Sequence, residues 1–569
     1  MVQLNLGKAI VEMFKRHSVE HVFGLVGTAV SRLIYELGKD ESINYIVTRH
    51  EQTAASMADG YARVTGKVGV CQTTAGPGTL NAVLSVADAY KDGSPMILIT
   101  GQVRSDFIGR DVFDEVDQIA IFKPITKWQH RITKVEDVPR IISNAFYLAR
   151  SGRPGPVFLE VPEDLWDKVG EVNLNYQVKA SRSYVASSMI EEAVDLLLKA
   201  DSPLILAGAG VMWSEAWEEL RTLAETLEIP VVTTGNGRGV IPEDHPLSFG
   251  MAGSYGGKGA ADYALSRADL VLAIGASVSL NTMYFMNNPI TGQLIHINID
   301  PTVIGKNYPC RLGIVGDAKL VLSEMLKILK QKRFAKKTAP WISELENKRR
   351  EWVEKWHTQN RSDAVPIKPQ RLLTDMREII PRDAIITIGS GNHHAFAAEY
   401  FPVYHPRTQI SAFNFAAMAF AFPAALGAKV AKPDKPVICI IGEGDFMMTI
   451  QDLETAVREE LNVVSVILNN GCYGTPKLFQ KAVYGEAYGC DYGNPSLAKL
   501  AEVFGARGWT VERPSEIKDT VKEALNCGKP AIIDVPIDPN EIIPINLEAH
   551  LGLAKLPPKK NSLTPPPNF

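Results

Sequence analysis

Short runs of β-branched and aliphatic residues recur along this chain, each followed by a longer amphipathic stretch, and that alternation admits few folds. It calls for parallel sheets whose strands are buried by helices on both faces. The first unit, from Met1 to about Trp166, offers strands at His21–Gly24, Tyr45–Thr48, Val68–Thr73, Met96–Thr100 and Val157–Val161. A polar stretch near Asp167–Ser187 links it to a second unit with strands at Pro203–Ala207, Pro230–Thr233, Leu270–Gly275 and Gln293–Asp300. The charged segment Lys330–Lys355 reads as a solvated connecting helix. A third unit begins near Ile367, with strands at Ala384–Ile388, Val437–Ile441, Val463–Leu468 and Ala531–Val535. At 569 residues the chain exceeds a single hydrophobic core, as three such units require. The tail Leu556–Phe569, rich in Pro and Lys, is expected to be extended or disordered.

Bulk properties narrow the function classes. A net charge of −4 with 22% charged residues gives no reason to expect nucleic acid or an anionic membrane as partner. Six scattered cysteines without metal spacing read as reduced thiols of a cytoplasmic protein. The N-terminus lacks the apolar core of a secretory signal. Ala412–Ala428, the most apolar stretch, contains Asn414 and Pro423 and falls short of the roughly 20 residues of a membrane span. A buried helix is expected there.

Chemistry concentrates at Val437–Asn470. One apolar strand runs into Gly442-Glu443-Gly444-Asp445, and a second ends at Asn469-Asn470-Gly471. Gly-rich turns at strand ends bring backbone N–H groups and carboxylates to the sheet edge where α/β proteins bind ligands. A carboxylate, an amide oxygen and a carbonyl converging there suit a hard cation such as Mg²⁺, which in turn clamps phosphate oxygens. By itself an acidic Gly turn is equally a surface loop.

The segment resembles the cofactor motif of the thiamine-diphosphate (ThDP) family that contains acetohydroxyacid (acetolactate) synthases, benzaldehyde lyase, 2-hydroxyacyl-CoA lyases and oxalyl-CoA decarboxylases. Carried over, the resemblance makes Glu443, Asn470 and the carbonyl of Cys472 the metal ligands, with Gly442, Gly444 and Asp445 against the diphosphate. Glu443 stands where the family has Asp; Asp445 is the rival ligand, and Glu443 is favoured by its register to Asn470 and Phe446. The run RHEQ…ADGYAR…TTAGPGTLN resembles the cofactor-activating segment, so Glu51 becomes the glutamate that bonds the aminopyrimidine N1′. Sharing a proton there favours the imino tautomer, hence the C2 ylid and, after addition and bond cleavage, an enamine. A desolvated Glu51 with a raised pKa suits that task; without the resemblance it is a helix-start carboxylate.

On the same grounds Gly76, Pro77 and Gly78 wall the pyrimidine, while Gly391, Asn392 and His393 touch the diphosphate. Met418 becomes the wedge that bends ThDP, and the Ala416 carbonyl faces its 4′-amino group. The resemblance implies three doubly wound parallel-sheet α/β domains: pyrimidine-binding at 1–175, middle at 188–330 and diphosphate-binding at 366–550, with a charged linker helix at 331–365 and a tail at 551–569. It also implies a homodimer or homotetramer whose active site lies between subunits.

Membership within the family is less marked. Val26, Gly27, Phe113, Asp114, Lys477 and Phe479 fall at substrate-pocket positions. Asp114 replaces a synthase Gln, and Lys477 and Phe479 replace its Arg and Trp; a point charge does not substitute for a planar fork. Ala276 and Ser277 lack the Arg with which synthases hold FAD, so flavin is not expected. The first expectation is an acetolactate-synthase-like carboligase or decarboxylase acting on a small 2-keto acid. The alternative is a lyase or decarboxylase of acyl-CoA thioesters, for which Arg238 and Lys258 are candidate CoA contacts. A non-catalytic scaffold is disfavoured by the intact Glu51.

Overall fold

The computed structural model describes residues 1–178, 185–253, 257, 259–279, 282, 290–335 and 338–541. Lys258 and the tail Leu556–Phe569 lie outside the described residues. Three six-stranded parallel sheets, with helices on their faces, make up the α/β fold. In the first, the strands lie in the order Asn44–Val47, His21–Gly24, Gly69–Thr73, Met96–Gln102, Val157–Pro162, Trp128–Arg131. The third repeats that order with Gln409–Ser411, Ile385–Ile388, Val437–Gly442, Val463–Asn469, Ala531–Pro536 and Arg507–Thr510. In both, the order reverses between the first strand and the third, which opens a crevice at their carboxyl ends. The middle sheet runs Ser248–Met251, Val231–Thr233, Pro203–Ala207, Leu270–Ile274, Gln293–Asn298, Leu312–Val315, the 3-2-1-4-5-6 order of a dinucleotide-binding fold.

Every strand expected from sequence is present within two residues of its expected ends. Several were missed. Trp128–Arg131, Ser248–Met251, Leu312–Val315, Gln409–Ser411 and Arg507–Thr510 are short edge strands. The expected linker at Asp167–Ser187 contains a further strand, Val169–Val172, which pairs antiparallel with Val2–Asn5. The apolar run Ala412–Ala428 is not one helix. Its first part forms an irregular loop, and the helix spans Ala421–Ala431. The charged segment also differs: helix Ala339–Trp356 is docked rather than solvated all round, with Trp341 and Leu345 buried and Trp341 Nε1 donating to the Pro203 carbonyl at 3.1 Å.

The first and third sheets are joined through one hydrophobic core. Helix Glu51–Thr65 of the first lies against Ala421–Ala431 of the third, and Met57, Tyr61, Phe422 and Leu426 are buried between them. Glycine makes that contact possible. A Cβ on Gly60 would stand 2.3 Å from the Ala424 carbonyl oxygen, and one on Gly427 would stand 2.0 Å from that of Met57.

Candidate active site

A cavity of about 310 Å³ opens at the crevice of the third sheet, and all of its lining residues fall between Ser390 and Glu541. Gly391, Asn392 and His393 follow the first strand of that sheet, Gly442 to Asp445 the third strand, and Asn470 and Cys472 the fourth. Glu443 is buried, and that burial raises its pKa. Its Oε1 accepts from the Cys472 N–H at 3.2 Å and from the Tyr492 hydroxyl at 3.1 Å. Asn470 Oδ1 accepts from the same Cys472 N–H, also at 3.2 Å. Two hard oxygens on separate strands thus converge on one donor. Cys472 is held by an antiparallel bridge to Asp491, with Tyr473 N–H donating to the Cys490 carbonyl at 2.9 Å.

Small residues keep the cavity open. A side chain on Gly444 would meet the Tyr492 hydroxyl at 2.5 Å and the Tyr473 ring at 2.9 Å. One on Gly474 would meet Asn392 Nδ2 at 2.7 Å. Asn392 Oδ1 in turn accepts from the Thr475 hydroxyl at 2.7 Å. His393 is buried beneath these turns, and its Nε2 has no hydrogen-bond partner among the described residues. Burial, with His394 beside it, lowers its pKa to about 3, so it faces the cavity uncharged. Asp445 lines the cavity but turns its carboxylate to the backbone: Oδ2 accepts from Ser390 N–H at 2.8 Å and Oδ1 from Ala419 N–H. Only Glu443 of the two acids shares a donor with Asn470. Ala416 and Met418 also line the cavity, and the Ala416 carbonyl already accepts from the Ser390 hydroxyl at 2.8 Å.

Glu51 belongs to a second cluster, at the crevice of the first sheet. It opens helix Glu51–Thr65, where His50 Nδ1 caps the Gln52 N–H at 3.2 Å. The carboxylate is buried and accepts from Asn81 Nδ2 at 2.9 Å. Gly78 lies against it, since a Cβ there would stand 2.8 Å from Glu51 Oε1. Gly76, at φ +57°, donates its N–H to Gln118 Oε1 at 2.9 Å, and a Cβ on it would strike the Asp114 carbonyl oxygen at 2.4 Å. Gly27 abuts Thr74, where a Cβ would come within 2.3 Å. Of Gly76-Pro77-Gly78, Gly78 packs against the glutamate and Gly76 against the 114–118 segment.

Glu51 does not line the cavity of the third unit. Nor do the six substrate-pocket candidates line it. Val26 and Phe113 are 56% and 88% exposed beside the Glu51 cluster. Gly27 and Asp114 supply backbone to that cluster. Lys477 is paired with Asp491 at 2.5 Å, and Phe479 packs edge-on to Tyr484. Arg238, a candidate CoA contact, is buried in a fork to Glu243 at 2.5 and 2.9 Å and donates to the Phe401 carbonyl at 3.0 Å. Nε and Nη2 are taken up by those contacts, while Nη1 is buried with no hydrogen-bond partner among the described residues.

Sequence reasoning passed over Ser390, Tyr492, Asn81, Gln118 and Asp452. Asn81 lay within the quoted TTAGPGTLN run and carried that signal. Asp452 had none. It accepts from Arg49 N–H at 2.7 Å and from the Thr53 hydroxyl at 2.6 Å, fastening the start of the Glu51 helix from 403 residues away.

Comparison with known proteins agrees with this layout. Residues 4–121 match the thiamine pyrophosphate enzyme N-terminal TPP binding domain, 190–325 the central domain and 389–535 the C-terminal TPP binding domain. A probable acetolactate synthase large subunit of Methanococcus aeolicus is 38% identical over 564 residues, covering 95% of this chain and 93% of that protein. Its counterpart in Methanocaldococcus jannaschii is 38% identical over 559 residues, with the same coverage. The acetolactate synthase isozyme 3 large subunit of Escherichia coli is 34% identical over 556 residues, covering 95% of this chain and 96% of its own length. The chain thus belongs to the thiamine pyrophosphate enzyme family, as an enzyme that acts on C–C bonds with that cofactor.

Proposed function

We propose that this protein is an acetolactate-synthase-like carboligase or decarboxylase of a small 2-keto acid, using ThDP anchored by Mg²⁺. The observation that carries the metal site is the convergence of Glu443 Oε1 and Asn470 Oδ1 on one N–H in the floor of the cavity. With the Cys472 carbonyl they form an all-oxygen set suited to Mg²⁺. The family match and the large-subunit relatives support the choice of reaction. Bound ThDP supplies an electron sink beside the substrate carbonyl. The chain's own groups do the rest. Gly442, Gly444, Gly391, Asn392 and the uncharged His393 receive the diphosphate, and Met418 and Ala416 shape the cavity beyond it. Glu51, buried, held by Asn81 and backed by Gly78, would hold a proton at N1′ of the aminopyrimidine, with Gly76, Pro77 and Gly78 walling the ring.

The absence of Glu51 from the cavity wall supports a site completed by Glu51 of a second copy, in at least a homodimer. No described helix is long and apolar enough to cross a membrane. The unpaired cysteines support a reducing, cytoplasmic setting. Flavin is not required on this reading. The Ala276 carbonyl is taken by His296 and Asn298 at 2.8 and 2.9 Å, and position 276 offers no cationic side chain. The purified protein should be colourless, and stoichiometric flavin absorbance would overturn that part.

Glu51→Gln tests the whole reading. Gln retains the volume and a hydrogen bond, so ThDP and Mg²⁺ should still bind. Its amide N–H can hydrogen-bond but cannot be transferred, and loss of a positioned proton-transfer group costs about 10²- to 10⁴-fold. The C2–H/D exchange of bound ThDP, followed by NMR, should slow by that factor. Exchange as fast as in the parent would reduce Glu51 to a helix-start carboxylate. A carbonyl-substrate panel read by CO₂ release and product mass separates the keto-acid reaction from acyl-CoA cleavage.

A further inference from the structure

Two carboxylates, Glu443 and Asp445, sit one residue apart on a turn that lines the cavity expected to take a diphosphate. Like charges in a buried site repel, so a second acid there needs a task other than facing the anion. Its hydrogen bonds say what that task is. Asp445 Oδ2 accepts from Ser390 N–H at 2.8 Å, and Oδ1 accepts from Ala419 N–H. The Ser390 hydroxyl donates to the Ala416 carbonyl at 2.8 Å. Asp445 and Ser390 thereby tie the end of strand Ile385–Ile388 to both ends of the segment 416–419. The carboxylate fits only because residue 389 is glycine, where a Cβ would stand 2.4 Å from Asp445 Oδ2.

The segment needs such a tie. Ala416 and Ala419 have φ of +58° and +68°, a conformation that residues with a Cβ avoid. It persists where the surroundings over-determine it: the Ala416 N–H donates to the Ala412 carbonyl at 2.7 Å, and Ser390 and Asp445 add the contacts from outside the segment, at the Ala416 carbonyl and the Ala419 N–H. Met418 lies between them and lines the cavity. We propose that Asp445, acting with Ser390, is a positioning residue that clamps the segment 416–419, so that Met418 and the Ala416 carbonyl hold their places before any cofactor arrives. The consequence for ThDP rests on the function proposed above; the clamp itself does not.

Asp445→Asn keeps the size of the side chain but turns an amide NH₂ toward one of the two donors. Ser390→Ala removes only the bond to Ala416 and leaves the carboxylate paired, so it serves where the first variant folds poorly. Amide hydrogen exchange on the full chain without ThDP should quicken by about tenfold or more across 412–420 in Asp445→Asn, and by less in Ser390→Ala. Strand Val437–Gly442 should exchange as in the parent. Parental exchange across 412–420 in both variants would overturn the clamp. At saturating ThDP and Mg²⁺, C2–H/D exchange per bound cofactor should fall about tenfold in Asp445→Asn. A role confined to stability would lower occupancy or melting temperature and leave that rate unchanged, which would overturn the positioning role. If the parent protein itself bound no ThDP, the cofactor reading would fail, and the exchange measured without cofactor would decide the clamp alone.

Discussion

Gly427→Ala should loosen the joint between the first and third sheets and disturb Glu51 from a distance. The added Cβ would stand 2.0 Å from the Met57 carbonyl oxygen, against an ordinary contact of 3.4 Å or more. Its three nearest neighbours are all backbone atoms of Met57, so no side-chain rotation relieves the clash. Helix Glu51–Thr65 must move away by about an ångström, and the reciprocal contact of Gly60 with Ala424 opens with it. Overpacking of this kind costs about 1–3 kcal/mol, and a clash with fixed backbone belongs at the upper end. Alanine's better helix propensity returns about 1 kcal/mol, leaving a net loss of about 2 kcal/mol. Gly38→Ala is the control, because nothing lies within 4 Å of a Cβ there. A chain with three sheets need not unfold in two states, so denaturation midpoints are the comparison rather than extrapolated free energies. Glu51 heads the displaced helix, and a misplacement of about 1 Å costs up to about 10²-fold in rate, so C2–H/D exchange should fall as well. A Gly427→Ala midpoint no lower than that of Gly38→Ala would refute the close-contact argument.

Two further outcomes are expected. Glu443→Ala should weaken Mg²⁺-dependent ThDP binding by about 100-fold or more, since even groups that merely orient metal ligands are worth 10- to 100-fold; unchanged affinity by calorimetry would remove Glu443 from the metal. Burial, reinforced by Asp92, pushes Asp88 up to about 8, so the folded chain keeps a proton that the unfolded chain has lost above about pH 4. The stability this contributes is complete below that pH and is lost as pH rises through about 8, by up to about 1.4 kcal/mol per pH unit. Asp88→Asn should flatten that part of the stability profile, and an unchanged slope would refute the assignment.

Central strands and cofactor turns were legible because their signals are local. Val437–Gly442 and Val463–Asn469 are continuous apolar runs, as strands buried on both faces must be. Edge strands such as Trp128–Arg131 are half-buried and mixed in character, so no pattern announces them. The run Ala412–Ala428 misled for a different reason. Its apolarity is real, but the path of 412–420 depends on Asp92 at Asn414 and on Ser390 and Asp445 at Ala416 and Ala419, all of which lie elsewhere in sequence. The site divides in the same way. Glu51, Glu443 and Asn470 announced themselves by motif, whereas Tyr492 and Asp452 act through contacts that no spacing reports. The six substrate positions do not line the cavity of the third unit, and Phe113 is bare in the single chain.

On the proposed reading a second copy completes the site, and the contacts within one chain supply a physical reason. The first and third sheets share a strand order, and each keeps its half of the site at the carboxyl ends of its strands. Within a chain the halves are joined back to back by helices Glu51–Thr65 and Ala421–Ala431, whose backbones touch at Gly60 and Gly427. Carrying Glu51 to its own cavity would break that buried contact. It would also strip Asp452, buried in the third unit, of the Arg49 N–H and the Thr53 hydroxyl. Among the described residues only the Thr455 hydroxyl, at 2.9 Å, would remain to the buried carboxylate, and an unsatisfied buried acceptor costs about 1–3 kcal/mol. A second copy avoids both losses, since each chain can offer its Glu51 outward while its own core stays intact. That asymmetry in cost favours the proposed dimer: the contacts that fix Glu51 in the first unit also hold it off the cavity wall of the third.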